Sequence, residues 1–206
     1  MMRSWCTACD LPLQGVEHFD GRECGACQRK TISEAMLIER VMTASRGTDP
    51  GSADVAFFDG ACEPRNPGGH LGMGWLVMDR QQLALLSASH AYEPEGPATS
   101  SNVAEYLAAA GALQAYLNLR RPGPVVIHGD SQLVIKQITG EWQVRGGLYV
   151  VALRKLRELC DEATAREIRI AWRWVGRDLN TAADFLSKLA LSQHGVEARD
   201  WKAGRR

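Results

Sequence analysis

The sequence predicts an α/β protein in which helices flank a mixed β-sheet, with the element order β-β-β-α-β-α-α-β-α. Three short apolar segments follow one another, and two later ones are separated by segments whose apolar residues recur at helical spacing. Consecutive strands favour an antiparallel meander, and strands joined through helices favour crossover connections in the same sheet. With 206 residues, of which 45% are apolar, the chain is long enough to bury a core.

The first three strands are predicted at Val55–Phe58, Gly72–Met78 and Leu83–Ser89. A helix is expected from Val103 to Leu119, because its apolar residues keep helical spacing and helix breakers are few. The segment Pro122-Gly123-Pro124 ends this helix before the buried strand Val125–His128. Two helices, a last strand and a closing helix follow, at Leu133–Ile138, Leu148–Cys160, Glu167–Val175 and Asn180–Leu191.

The N-terminal segment carries four cysteines in two CxxC pairs, Cys6, Cys9, Cys24 and Cys27. Four thiolates at this spacing can close a tetrahedral Zn²⁺ site, and metal binding would supply much of the folding free energy of a module this short. His18 lies between the pairs and is interpreted as a surface residue, because the four thiolates complete the shell. Without a secretory segment disulfides are disfavoured, and the alternative is that the cysteines are reduced and bind nothing.

A short amphipathic helix is predicted after the cysteines. Thr31–Glu34 has the form of a capping box, and Met36, Leu37 and Val41 follow at helical spacing. Residues 45–53, SRGTDPGSA, lack periodic apolar residues and are typical of a linker. We therefore expect a zinc-binding module with a short helix at 1–44, a linker at 45–53, the main domain at 54–192 and a basic tail at 193–206.

The charge balance is neutral, with 24 Lys and Arg against 24 Asp and Glu, so binding of nucleic acid has to rest on local basic clusters. The candidates are Arg154, Lys155, Arg157, Arg169 and Arg173, although such residues also serve solubility alone. No apolar run approaches the roughly 18 residues of a membrane span, and the N terminus lacks a signal peptide's apolar core. We expect a cytoplasmic protein with no membrane partner.

Four carboxylates lie where strands end or on helices that can face those ends: Asp59 in FFDGAC, Glu105 in NVAEYLA, Asp130 in IHGDSQLV and Asp184 in NTAADFLSK. A single aspartate at a strand end is usually a turn residue or a helix cap. Four in such settings instead favour a shared site for divalent metal ions, because ligands gather at the carboxyl ends of strands and carboxylates are hard ligands.

These passages resemble the type 1 ribonuclease H family, over about Asp54 to Leu191. DGACEPRNPGG with the later GMGW is similar to the family's first hairpin, NVAEYLAA to its glutamate helix, GDSQLVIKQITGEW to its second aspartate segment and NTAADFLSK to its last. The resemblance implies an endoribonuclease that hydrolyses the RNA strand of RNA–DNA hybrids, leaving 5′-phosphate and 3′-hydroxyl ends.

The resemblance also implies that the four carboxylates Asp59, Glu105, Asp130 and Asp184 hold two Mg²⁺ or Mn²⁺ ions. One ion would activate the attacking water and the other would stabilise the leaving 3′ oxygen. Selectivity for RNA requires contacts to 2′-hydroxyl groups across a wide minor groove.

By the family pattern Asn66, Asn102 and Gln132 are placed for these substrate contacts, although each is equally well a turn or helix-end residue. Gly60 and Ala61 are small enough to let a polynucleotide backbone approach Asp59.

The chain departs from the family in four places. The segment WVGRDLN before Asp184 has no histidine, and its Arg177 can contact phosphate or steady the leaving group but cannot shuttle a proton. The alternative interpretation is that Arg177 is only a solvated charge on a loop. GEWQVRGGLYVVALRKL lacks the basic protrusion of some members, which implies weaker substrate affinity. The first hairpin is longer by Cys62–Arg65, and Ser100-Ser101 stands where Thr-Asn is common.

Three other functions stay open. A catalytically silent nucleic-acid-binding module is disfavoured by the four carboxylates, because unused like charges only repel one another. A 3′ to 5′ exonuclease would pair the first aspartate with a glutamate two residues on, where this chain has Ala61. An adaptor acting through the cysteine module would lose its function when residues 1–45 are deleted, whereas a nuclease would keep hybrid cleavage. Double-stranded RNA also stays open as a second substrate.

Overall fold

The structure is a computed structural model that describes residues 53–79 and 84–198, together with the backbone of three two-residue strands nearer the N terminus. These strands, β1 (Ser4–Trp5), β2 (Pro12–Leu13) and β3 (Ile32–Ser33), pair antiparallel in the order β2-β1-β3. Ile32 and Ser33, the two central residues of the predicted capping box, are extended rather than helical. The four cysteines, the rest of the predicted short helix, the linker up to Ser52 and the end of the basic tail lie outside the described residues.

The main sheet has five strands in the order β6-β5-β4-β7-β8. They are β4 (Asp54–Glu63), β5 (His70–Asp79), β6 (Ala84–Glu93), β7 (Val125–Gly129) and β8 (Ile170–Trp174). The first three form an antiparallel meander, β7 lies parallel to β4, and β8 lies parallel to β7. The predicted mixed sheet and element order are confirmed.

Four helices cover the two faces of this sheet. They are α1 (Ser101–Asn118), α2 (Gln132–Ile138), α3 (Val150–Ala165) and α4 (Thr181–Ser192). The alternation of β4 decides which helix each side chain meets: Ala56 and Phe58 pack with α1, α2 and α3, whereas Val55 and Phe57 pack with α4. Within the described part of the chain, no helix combines the length and apolarity needed to cross a bilayer.

Several element boundaries differ from the sequence predictions. The first strand does not stop at Phe58, because its antiparallel ladder with β5 continues to the pair Glu63↔His70. Asp59 therefore lies inside β4 rather than after it. The helix predicted from Leu148 starts two residues later and continues to Ala165, where Ala163 extends its buried stripe. The last strand is shorter than predicted, starting at Ile170.

A guanidinium joins the ends of β4 and β5 that lie away from the strand-end carboxylates. Arg121 Nε donates to Asp54 Oδ2 at 2.8 Å, and its Nη2 donates to Asp79 Oδ2 at 2.6 Å. Both aspartates are buried, and the arginine side chain is 35% exposed. This clasp of Arg121, Asp54 and Asp79 fixes the point at which the described main domain begins.

Candidate active site

Asp59 and Asp130 occupy equivalent positions on neighbouring parallel strands. The pairing of β4 with β7 ends at Phe57↔His128. Each aspartate lies two residues beyond that last pair, so both carboxylates emerge at the same edge of the sheet. Asp130 follows the end of β7, as predicted, whereas Asp59 lies inside β4, where it is paired with Gly74 of β5.

Glu105 reaches this edge because α1 packs directly on β4 at Gly60. A Cβ atom at Gly60 would lie 2.3 Å from the backbone nitrogen of Glu105, so only glycine permits the approach. The backbone N–H of Gly60 hydrogen-bonds the Glu105 carboxylate. The other oxygen, Oε2, is buried and accepts no hydrogen bond from any described residue. Gly60 thus makes room for a helix of this chain, and its contact with substrate stays a prediction.

Three of the four predicted carboxylates converge. One oxygen from each of Asp59, Glu105 and Asp130 lies within 4.8 Å of the others. Asp59 is 5% exposed, Glu105 is 8% exposed, and the Asp130 side chain is 5% exposed. Within the described residues this is the single group of three or more Asp, Glu, His or Cys side chains that converges in this way. All donors are carboxylate oxygens, the ligands that Mg²⁺ and Mn²⁺ prefer.

The electrostatics of the cluster favour a cation. Burial, and next the charge of Asp130, raise the pKa of Asp59 from 3.8 to about 8. Burial, with the charges of Asp59 and Asp130, holds the pKa of Glu105 well above its usual range. Carboxylates kept this close resist ionising together unless a positive charge joins them. The buried, unpartnered Glu105 Oε2 and the three-carboxylate donor set therefore fit a divalent metal ion.

Asp184 lies in the first turn of α4, as predicted, but outside this group of three. Its Oδ2 accepts a hydrogen bond from Lys188 Nζ at 2.8 Å, one helical turn away. The charge of Asp184 contributes to the raised pKa of Asp59. Its part in binding a second ion stays a prediction.

Two further side chains hold Asp130 in place. Arg177 Nε donates to Asp130 Oδ2 at 2.9 Å, and the arginine side chain is 56% exposed. Asn180 is fully buried, and its Nδ2 donates to the Phe58 carbonyl at 2.8 Å and to Asp130 Oδ1 at 3.3 Å. Arg177 was predicted to belong to the site. Asn180 was predicted only as the start of a helix, and its side chain makes no capping hydrogen bond.

The predicted substrate residues lie outside the group of three converging carboxylates. Asn66 donates to Ser101 Oγ at 2.7 Å and accepts from the Ser101 backbone N–H at 3.0 Å, so it binds the start of α1. Asn102 and Gln132 are exposed in the first turns of α1 and α2. Ala61 is partly buried in β4. The exposed amides of Asn102 and Gln132 are accessible to a ligand. Asn66 instead binds the first residue of α1, which fits the alternative that it is a helix-end residue.

Comparisons with known proteins cover the same part of the chain. A family model described as "Reverse transcriptase-like" matches residues 57–190, which include all four carboxylates. The Ribonuclease H of Phenylobacterium zucineum (strain HLK1) is 35% identical over 150 residues, covering 68% of this chain and 90% of that protein. The Ribonuclease H of Herminiimonas arsenicoxydans is 36% identical over 157 residues, covering 68% and 92%. The crystal structure of RNase H1 from the halophilic archaeon Halobacterium salinarum NRC-1 superposes with a TM-score of 0.58 at 28% identity, covering 68% and 98%.

Proposed function

This chain belongs to the ribonuclease H family and is a nuclease, and on that basis we propose that it hydrolyses the RNA strand of RNA–DNA hybrids with two bound Mg²⁺ or Mn²⁺ ions. The observation that carries this proposal is the convergence of Asp59, Glu105 and Asp130 within 4.8 Å. The products would carry 5′-phosphate and 3′-hydroxyl ends.

Asp59, Glu105 and Asp130 would hold the first ion, and Asp184 would take part in holding a second. Bound ions supply Lewis-acid stabilisation of the scissile phosphate and lower the pKa of water at neutral pH. The buried positions of Asp59 and Glu105 restrict water around their carboxylates, which strengthens their attraction for cations. Lys188 has to share or release Asp184 when the second ion is bound, because its ammonium occupies one Asp184 oxygen.

RNA selectivity is proposed for the exposed polar groups beside the cluster. Asn102 lies in the first turn of α1, the helix that carries Glu105, and Gln132 begins α2 two residues after Asp130, and exposed polar side chains there can contact 2′-hydroxyl groups. Asn66 is engaged with Ser101, so it would act by fixing the start of α1 or by exchanging that contact for the ribose.

The proposed function is tested with a hybrid labelled on either strand. We expect the full chain to cut the RNA strand in Mg²⁺ or Mn²⁺, to spare the DNA strand, and to stop in EDTA. Double-stranded RNA, offered in the same assay, tests the second substrate. A chain that leaves the hybrid intact across both metals and pH 6 to 9 contradicts the proposal.

We further propose that Cys6, Cys9, Cys24 and Cys27 bind one Zn²⁺, on the support of their spacing alone. Metal analysis of the same freshly purified, reduced sample measures the zinc content, and a value well below one ion per chain counts against the proposal. Whether this module binds nucleic acid or a protein is a separate question. It is tested by comparing the binding of the full chain with that of a chain lacking residues 1–45.

Arg177 is expected to support catalysis as a fixed positive charge. Its guanidinium hydrogen-bonds Asp130 and pairs with the negative cluster, and loss of one charge-assisted hydrogen bond costs about 1.5–3 kcal/mol. Arg177→Ala should therefore lower kcat about 10- to 100-fold. Arg177 itself does not titrate near neutral pH, but its charge lowers the pKa values of Asp59 and Glu105, so the loss of kcat in the variant should be larger at pH 6 than at pH 9.

Arg120→Ala is the matched control for this variant, because Arg120 is an exposed arginine that follows α1, outside the carboxylate cluster and outside the candidate nucleic-acid contacts. We expect it to keep kcat within about twofold, as exposed charges away from specific contacts do. A kcat for Arg177→Ala equal to that of the parent would mean that Arg177 is only a solvated loop charge.

A further inference from the structure

A buried serine of α4, which was not predicted from the sequence as a site residue, hydrogen-bonds one of the clustered carboxylates. Ser187 is fully buried, and its Oγ lies 2.5 Å from Asp59 Oδ2 and 2.9 Å from the Asp184 carbonyl oxygen. A hydroxyl carries one hydrogen, so it donates to one of these oxygens at a time. The shorter distance favours donation to Asp59, and a bound cation that keeps this carboxylate ionised strengthens the preference, since hydrogen bonds to ionised acceptors are shorter and stronger.

The approach of α4 to the sheet is what brings Ser187 to Asp59. Asp59 pairs directly with Gly74 across the β4–β5 ladder. A Cβ atom at Gly74 would lie 2.4 Å from the Ser187 backbone nitrogen, and one at Gly72 would lie 2.2 Å from the Ser187 carbonyl oxygen. Because Gly72 and Gly74 of β5 have no side chains, the α4 backbone packs directly against this strand at Ser187. This packing fixes the position of the Ser187 hydroxyl.

We propose that Ser187 is a positioning residue that holds the Asp59 carboxylate in the orientation required for the metal ions, an inference that rests on the proposed function. Hydrogen bonds to the carboxylates and imidazoles that bind metals fix their orientation, and loss of such a bond typically costs 10- to 100-fold in metal affinity or activity. The Ser187 hydroxyl donates to Oδ2 of Asp59, and this bond fixes the direction in which the other carboxylate oxygen, Oδ1, points. It also joins Asp59 of β4 to the turn of α4 that carries Asp184.

The test is Ser187→Ala, with ion binding measured by titration calorimetry in Mn²⁺ and cleavage measured against Mg²⁺ concentration. We expect the Mn²⁺ dissociation constant and the half-saturating Mg²⁺ concentration to rise about tenfold. The KM for hybrid should stay within about twofold, because Ser187 is buried away from substrate. Ser192→Ala is the matched control, since its hydroxyl is on the same helix and bonds the Leu189 carbonyl at 3.0 Å, away from the cluster.

Ser187→Cys separates hydrogen bonding from packing. Its thiol is larger than the hydroxyl, so it leaves no cavity, but it donates only weakly, and the cysteine variant should therefore bind ions as poorly as the alanine variant. Recovery of parent affinity by the cysteine variant would mean that volume matters and the hydroxyl does not, and would overturn the proposal. Parent-like affinity in Ser187→Ala would do the same.

These results also separate this inference from the proposed function. A parent chain that binds Mn²⁺ but leaves hybrids uncut removes the function, while the calorimetric comparison still decides the role of Ser187. A parent that cuts hybrids while Ser187→Ala binds ions equally well removes only the positioning role. A parent that binds no divalent ion removes both.

Discussion

Replacing Asp59 by asparagine should abolish hybrid cleavage and, in the absence of metal, make the protein more stable. The carboxylate is one of the three that converge, and losing it removes a ligand and its charge. Several kcal/mol of transition-state stabilisation depend on such ions, so we expect at least about a 10³-fold loss of kcat/KM. The asparagine carbonyl can still accept the hydrogen bond from Ser187, so the local structure is preserved.

The gain in stability depends on pH, with a definite sign. Burial and the charge of Asp130 raise the pKa of Asp59 from 3.8 to about 8. Between about pH 4 and pH 8 the folded protein therefore retains a proton that the unfolded chain releases, so the free energy of unfolding falls as pH rises. Asparagine removes this penalty. We expect Asp59→Asn to raise the free energy of unfolding by about 1–3 kcal/mol at pH 8 in EDTA, and by little at pH 4.

Urea unfolding in EDTA at pH 4, 6 and 8 measures this difference directly. Added Mg²⁺ should reverse the order at pH 8, because the ion stabilises the parent and binds the variant weakly. Asp161→Asn is the control, since Asp161 is exposed on α3, and it should change neither cleavage nor the pH dependence. A metal-free Asp59→Asn protein less stable than the parent at pH 8 would show that the cluster is not repulsive.

Gly74→Ala should damage both the fold and the site. The added Cβ would lie 2.4 Å from the Ser187 nitrogen and 2.6 Å from the Ala183 carbonyl oxygen, which are backbone atoms and cannot rotate aside. The helix α4 has to move away from the sheet, and overpacking of this kind costs about 1–3 kcal/mol or more. The same movement pulls Ser187 away from Asp59, so we expect kcat to fall at least about tenfold in the fraction that stays folded.

Thermal unfolding and cleavage rates at 15 °C measure the two effects of Gly74→Ala. Gly96→Ala is the matched control, because Gly96 has an ordinary φ and a new Cβ there would meet only Thr99 Cγ2, at 3.9 Å. It should leave the melting temperature and kcat unchanged within error. A Gly74→Ala protein as stable as the Gly96→Ala protein would contradict the close packing of α4 on β5.

The sequence was sufficient to predict the mixed sheet, its helices and the strand-end position of Asp130. Periodicity located these elements because each buries one face, and the resemblance aligned Glu105 with the glutamate helix. Boundaries were less predictable. The strand of Asp59 continues past its apolar run because hydrogen bonds to β5 do not require apolar side chains, and that pairing is not visible in one strand's sequence.

Ser187 and Asn180 were missed for a different reason. Both act across the sheet through contacts that depend on register and helix approach, such as the pairing of Asp59 with Gly74. One signal was available for Ser187: it follows Asp184 by three residues, so the two share a helix face. Gly60 was predicted from its small size to give substrate access, and the close packing of the α1 backbone on this glycine is a second role that the sequence did not indicate.

The clasp of Arg121 with Asp54 and Asp79 holds in place the residue at which β4, the first strand of the main sheet, begins. Asp54 and Asp59 are separated by five steps of extended chain, about 17 Å. That distance corresponds to about five base pairs of nucleic acid, at roughly 3.4 Å each. The chain therefore enters the described domain at a residue held by a buried ion pair and about 17 Å along the strand from Asp59, so this entry point leaves the edge that carries the carboxylates uncovered.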